Sequence, residues 1–184
     1  QSLLARITLV LWQDFYGAAV KLNNVTVLNC TPSALSLLTR INVPSLQRVA
    51  VIGEPCSAAL VSEWASKSSS LFNTYGPTEC ANVSTMGQQL SNQSAVHIGR
   101  PLPGWSVYVA PVANNTVGLI DNEELCAVGV PGELLIGGPG VAAGYVKRPE
   151  LTASKFITTG AFGRLYRTGD LVRWLPDGNL DFLG

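Results

Sequence analysis

Charge is scarce in this chain, and its scarcity excludes whole classes of function. Charged residues make up 13% of the 184 residues, about half the ~25% usual for soluble domains. Twelve Lys+Arg cancel 12 Asp+Glu, so no net field draws the chain to nucleic acid or to an anionic membrane. Long hydrophobic runs are missing too. The longest, Ile7 to Trp12, is broken by Thr8 and stopped by Gln13 and Asp14, well short of the roughly 20 apolar residues that a membrane span needs. No basic segment leads into an apolar stretch with a cleavage site, so no signal peptide is expected. Cys30, Cys56, Cys80 and Cys126 lack the C-x-x-C spacing of a zinc site. They read as small buried hydrophobes in a reducing, cytoplasmic setting. A hydrophobic fraction of 47% beside so little charge implies surface that other protein normally covers.

What is present falls into two halves. In the first, short apolar runs (Val25 to Cys30, Gln47 to Ile52, Leu71 to Tyr75) alternate with helix-like stretches. Thr31 suits an N-cap and Pro32 a first helical position, opening a helix over Pro32 to Leu38. Ser57 can cap Ala58 to Ser66, where Leu60, Val61 and Trp64 share one face. This alternation predicts right-handed βαβ units and a parallel-rich α/β sheet over residues 1–95. From about Gly99 onward Gly and Pro are dense, and strands are predicted at Ser106 to Ala110, Glu133 to Ile136 and Tyr166 to Thr168. Leu171 to Leu175 and Asn179 to Leu183 flank Pro176-Asp177-Gly178, whose Asp-Gly step suits a hairpin turn. One helix starts at Pro149, with Glu150 in the first turn. Residues 96–184 therefore read as a small antiparallel, barrel-like lobe.

Three segments could carry chemistry. Asn73-Thr74-Tyr75-Gly76-Pro77-Thr78-Glu79 closes a predicted strand, and Gly76-Pro77 forces the chain out of the sheet. Thr78 and Glu79 then lie just beyond the carboxyl edge, where open parallel sheets bind ligands. A hydroxyl beside a carboxylate suits a phosphate and a hard cation. A plain strand-to-loop turn is the other reading. Gly132 to Gly140 imitates a phosphate cradle, but it has no Gly-Lys-Ser/Thr ending, and Pro139 removes an N–H. It reads as a strand and a sharp turn. Tyr166-Arg167-Thr168-Gly169-Asp170 ends a strand in an acid that could accept from ribose hydroxyls, or could merely cap a turn.

In this order the three segments resemble the adenylation domains of nonribosomal peptide synthetases, within the superfamily of adenylate-forming enzymes. The likeness runs on through Arg148-Pro149-Glu150-Leu151-Thr152, Trp174 to Gly178 and Phe182-Leu183-Gly184, and upstream through Thr31-Pro32-Ser33 and Gly53-Glu54. It covers essentially the whole chain. It implies part of a larger adenylate-forming N-terminal domain, ending just before the hinge to a C-terminal subdomain. It implies ATP and Mg²⁺, an amino-acid substrate, phosphopantetheine on a partner carrier domain, and carrier and condensation domains of the same synthetase as partners.

By the resemblance, Tyr75 stacks on adenine, Asn73 reaches its amino group, and the backbone at Gly53, Glu54 and Gly76 lines the same pocket. Thr78 contacts the α-phosphate, Glu79 holds Mg²⁺, and Asp170 takes the ribose hydroxyls. Asn29, Ala50, Ile52, Thr74, Asn82 and Val83 are implied to line the amino-acid side-chain pocket. The family's glycine-rich phosphate loop, hinge arginine and catalytic lysine have no counterpart here, so this stretch alone is expected not to turn over. Two positions depart from the family pattern. Ile52 stands where a small residue is usual before Gly-Glu. His97, the only histidine, stands where proline is common, and reads as a surface residue at the lobe junction rather than a catalyst. An acyl-CoA or aryl-acid ligase and a catalytically dead scaffold domain are the competing functions.

Overall fold

The computed structural model describes residues 25–38, 44–65, 70–89, 96–112 and 124–184. A first sheet has the strand order β1 (Val27–Cys30), β2 (Arg48–Val51), β3 (Ser70–Tyr75), β4 (Thr85–Gln89) and β5 (Arg100–Pro101). The first three run parallel; β4 and β5 are antiparallel additions. Helix α1 (Pro32–Leu37) leaves β1, capped by the Thr31 hydroxyl, which accepts from the Ala34 N–H at 3.2 Å. Helix α2 (Ala58–Ala65) leaves β2, with Ser57 Oγ accepting from Leu60 N at 3.2 Å. Each cap satisfies a donor that the helix cannot pair internally.

Strand alternation decides which face is covered. Leu28, Val49, Val51 and Leu71 point to the helices and pack with Leu35, Leu60, Val61 and Trp64. Full burial of one such side chain stabilises by about 1.5–3 kcal/mol. The opposite face carries Asn29, Ala50 and Phe72 in register.

The second sheet has the order β10 (Leu180–Phe182), β9 (Gly163–Trp174), β7 (Gly132–Gly137) and β6 (Ser106–Ala110), with β8 (Phe156–Thr159) also pairing β9. Every residue of β7 is buried. Leu134 and Ile136 enter one core with Val109, Val172 and Leu180, while Leu135 enters another with Ile157 and Leu165. Helix α3 (Pro149–Lys155) begins at the expected proline and leads into β8. The chain changes sheets between Pro101 and Ser106. The sheets are tied where Ile98 N donates to Leu180 O and Leu180 N to Gly99 O, both at 2.8 Å.

The expected strand break near Asp170 does not occur. Tyr166 to Thr168 and Leu171 to Leu175 are not separate strands, and Asp170 does not end one. Both belong to β9, which runs unbroken to Trp174. Gly169 has a φ of +83°, and this left-handed residue forms a bulge instead of a turn. The register passes from Glu133–Leu171 to Leu135–Arg167, so Leu134 alone faces Thr168, Gly169 and Asp170.

Candidate functional site

The exit from β3 is abrupt. A Cβ on Gly76 would lie 2.3 Å from the Asn82 carbonyl oxygen, so only glycine lets the chain fold back this closely. A 3₁₀ turn at Thr78–Cys80 follows, and Ala81 and Asn82 take positive φ values of 48° and 75°. Ser84 N then donates to Tyr75 O at 2.9 Å, starting the return along β4. This places the Gly76–Glu79 segment at the carboxyl edge of the parallel strands, beside the Gly53-Glu54 loop that leaves β2. Glu54 ties that loop to the start of α1 by accepting from Ser33 N at 3.0 Å and from the Ser33 hydroxyl. Those two bonds hold its carboxyl below the usual range.

A cleft of about 330 Å³ opens at this edge, lined by Gly53, Glu54, Asn73, Thr74, Tyr75, Gly76 and, from the second sheet, Asp170 and Phe182. The Tyr75 hydroxyl donates to Asp170 Oδ2. The Tyr75 ring lies 6.0 Å from that of Phe182, tilted by 39°. Burial, and then the Asp170 carboxylate, push the Tyr75 phenol far above its ordinary pKa, so it stays a donor throughout the neutral range. Two residues that the sequence sets far apart thus meet on one cleft.

Asn73 is buried, and its amide Nδ2 donates to His97 O at 3.1 Å. This fixes the carboxamide so that its oxygen remains as the acceptor. Gln89 bonds both main-chain groups of His97: Nε2 donates to His97 O at 2.9 Å, and Oε1 accepts from His97 N at 3.4 Å. His97 is therefore not a surface residue; it is 9% exposed. Gly87 makes the room, since a Cβ there would sit 2.5 Å from the imidazole. Burial lowers the pKa of this histidine, with the Arg100 charge assisting and Asp177 and Asp181 opposing.

Thr78 is exposed, and Glu79 is half-buried. Glu79 Oε1 accepts from the Tyr145 hydroxyl at 2.6 Å, and the Tyr145 and Tyr166 oxygens are 3.3 Å apart. The Tyr145 bond is the main cause holding the Glu79 carboxyl below its usual range. Ala142 N also donates to the main-chain carbonyl of Glu79 at 2.8 Å, so the segment leading to Tyr145 is tied to the Glu79 backbone as well. Among the described residues no group of three or more His, Cys, Asp or Glu could hold a metal. A single ionised carboxylate fits Mg²⁺ only in the manner in which that ion is commonly held, through one or two carboxylates plus substrate phosphates.

The residues expected in the side-chain pocket divide. Asn29 and Ala50 pair across β1 and β2, on the face away from the helices. Thr74 lines the cleft, with its hydroxyl donating to Val51 O at 2.8 Å. Ile52 follows β2, while Asn82 and Val83 lie in the turn after Cys80. Sequence reasoning missed Phe182, which lines the cleft, and Tyr145, Gln89, Glu133 and Arg167, which bond to residues in or beside it. Tyr145 stood just beyond the stretch set aside as a false phosphate loop, and only its three-dimensional contact with Glu79 marks it.

Residues 2–146 match the AMP-binding enzyme family. A linear gramicidin synthase polypeptide of Brevibacillus parabrevis is 47% identical over 163 residues, which cover 87% of this chain and 2% of that protein. Tyrocidine synthase 1 of the same organism is 37% identical over 167 residues, covering 88% of this chain and 14% of that protein. The N-terminal subdomain of Klebsiella oxytoca NpsA, solved in complex with 3-hydroxybenzoyl-AMSN, superposes with a TM-score of 0.80 at 30% identity, covering 94% of this chain and 43% of that one. A four-domain nonribosomal peptide synthetase bound to AMP and glycine gives a TM-score of 0.80 at 32% identity, covering 94% of this chain and 13% of that one. The chain thus spans a minor part of each of these relatives. Sequence and fold agree that it belongs to the AMP-binding enzyme family, among the adenylation domains of nonribosomal peptide synthetases.

Proposed function

We propose that this chain contributes the adenine- and ribose-binding part of an adenylation domain that activates an amino acid with ATP. The observation that carries this reading is the meeting of Tyr75 and Asp170 on one cleft beside Gly53, Glu54, Asn73 and Gly76. Adenine is placed against the Tyr75 face, because an aromatic ring stacks on any base. The Asn73 carboxamide oxygen accepts from the adenine amino group, and Asp170 accepts from the ribose hydroxyls. Thr78 donates to an α-phosphate oxygen, and Glu79 is the carboxylate for Mg²⁺. That ion, when bound, supplies positive charge to the phosphate oxygens.

In the reaction, a carboxylate oxygen of the amino acid bonds to the α-phosphorus. The bond from that phosphorus to the bridging oxygen breaks, and pyrophosphate leaves with the electron pair. The chain's own residues contribute position and hydrogen bonds, which dominate such transfers. The aminoacyl group then passes to a phosphopantetheine thiol on a carrier domain, with a condensation domain as the next partner, in the cytoplasm. Asn29, Ala50, Ile52, Thr74, Asn82 and Val83 are assigned to the side-chain pocket, and residues 1–95 and 96–184 to its two lobes. An aryl-acid substrate is the second reading, because NpsA was solved with a 3-hydroxybenzoyl ligand.

The test is exchange of labelled pyrophosphate into ATP by the intact domain, given amino acids and hydroxybenzoates separately. Exchange with an amino acid, reduced in Glu79→Ala, is expected. Equal exchange in Glu79→Ala would refute the assignment of that carboxylate.

A further inference from the structure

We propose that Glu133 and Arg167 are positioning residues that hold the Asp170 carboxylate toward the nucleotide ribose; this rests on the ribose reading of Asp170. Bulging β9 opposite Leu134 takes Thr168, Gly169 and Asp170 out of the ladder. Backbone donors that lose a ladder partner must find another. Gly169 N donates to Glu133 Oε1 at 3.2 Å, and Asp170 N donates to Thr168 Oγ1 at 3.0 Å. The Thr168 hydroxyl in turn donates to Leu134 O at 2.8 Å. The bulge is therefore closed by side chains on both strands, and Asp170 is the residue it turns toward Tyr75.

Glu133 is an unusual residue to find here. It is 6% exposed on a wholly buried strand whose next residues are Leu134, Leu135 and Ile136. Arg167 engages it with Nη2 to Oε2 at 2.6 Å, and with Nε to Oε2 and Oε1 at 3.2 and 3.3 Å. An ion pair with one partner buried is weak support for stability, because desolvation offsets its attraction, and apolar residues of similar size often do as well. What apolar residues could not do is accept the Gly169 N–H. The pair fixes the two residues that precede and follow Thr168, and so sets where Asp170 stands.

A bare structural role predicts lower stability and nothing specific to ribose. A positioning role predicts a change in discrimination between nucleotides. The experiment measures KM in pyrophosphate exchange by the intact domain for ATP, 2′-deoxy-ATP and 3′-deoxy-ATP. The enzymes are the unaltered protein, Glu133→Gln, Arg167→Lys, Asp170→Asn and Glu133→Gln/Asp170→Asn, each checked for a cooperative melt. The glutamine keeps the shape of Glu133 but has one acceptor oxygen where the carboxylate has two, so Gly169 and Arg167 can no longer both be held, and the strand need not unfold if the lysine variant does. The expected result is a preference for ATP in the unaltered protein that falls at least threefold in Glu133→Gln and falls further in Asp170→Asn. The double variant should then discriminate no less than Asp170→Asn alone, since the two act through one carboxylate. An unchanged preference in a folded Glu133→Gln overturns the proposal and leaves the ribose reading standing. Independent losses that add in the double variant overturn it as well. No preference for ATP in the unaltered protein overturns the ribose reading, and the proposal with it.

Discussion

The Tyr145 hydroxyl lies 2.6 Å from Oε1 of Glu79, and this one bond is the main reason that the Glu79 carboxyl sits below the ordinary carboxylate range. A depressed folded-state pKa means the bond stabilises the native chain above the normal carboxyl range and ceases to do so as pH falls through the lowered value. Tyr145→Phe removes the donor and lets the carboxyl titrate higher. The acid limb of pyrophosphate exchange is expected to move toward higher pH, and the Mg²⁺ requirement at neutral pH to rise roughly tenfold, the lower range for loss of a partner that orients a metal ligand. A superimposable pH profile in the phenylalanine variant would show that Tyr145 does not govern Glu79.

Tyr75 has two separable assignments, a ring for the base and a hydroxyl for Asp170. Tyr75→Phe keeps the ring and releases the carboxylate. The KM for ATP is expected to rise about threefold to tenfold, in keeping with a hydrogen bond to a charged group only partly replaced by water. Tyr75→Ala also loses the stacking face, worth about 1–3 kcal/mol per base, so its KM should rise by roughly a further tenfold. Equal KM values for the two variants would mean that the ring does not contact the base.

The outline of this site was legible because its parts are written locally. Thr31-Pro32 and Ser57 announced the starts of α1 and α2, and Gly76-Pro77 announced the exit from β3, because caps and Gly-Pro breaks depend on a few adjacent residues. Asp170 was legible as an acid, but its setting was not. Thr168-Gly169-Asp170 has the composition of a turn, and it became a bulge because Glu133, 36 residues from Gly169 along the chain, supplies the missing acceptor. His97 was misread for the same reason: the space for its ring is made by a glycine across the sheet, not by its neighbours in sequence.

Burial of His97 has its own pH signature. Its folded pKa lies below the ordinary value of 6.5, so the unfolded chain takes up a proton that the native chain refuses. The associated stability is present in full above that value and is lost as pH falls toward the folded one. While only the unfolded state is protonated, the slope approaches about 1.4 kcal/mol per pH unit. Urea melts of the intact domain from mildly alkaline to mildly acidic pH should show this decline. His97→Gln should flatten it, whatever the variant does to stability at the alkaline end. An identical slope in His97→Gln would mean that other groups titrate there.

The joint between the two sheets depends on a position where no side chain fits. Gly99 has a φ of +81°, and a Cβ on it would lie 2.0 Å from the carbonyl carbon and oxygen of Met86. Its own carbonyl accepts from Leu180 N at 2.8 Å, so it cannot withdraw from Met86 without loosening β10. Gly104 offers a control, with a φ of +86° and nothing within 4 Å of its Cβ position. Gly104→Ala should cost only the backbone penalty of about 1–2 kcal/mol. Gly99→Ala should add an overpacking penalty of about 1–3 kcal/mol, and should also shift Phe182 relative to Tyr75. Denaturant melts of the intact domain are thus expected to rank Gly99→Ala well below Gly104→Ala, and only Gly99→Ala should raise the KM for ATP. If the two variants are equally stable and equally active, backbone contact at Gly99 does not hold the sheets in register, and the cleft must be shaped by the strands alone.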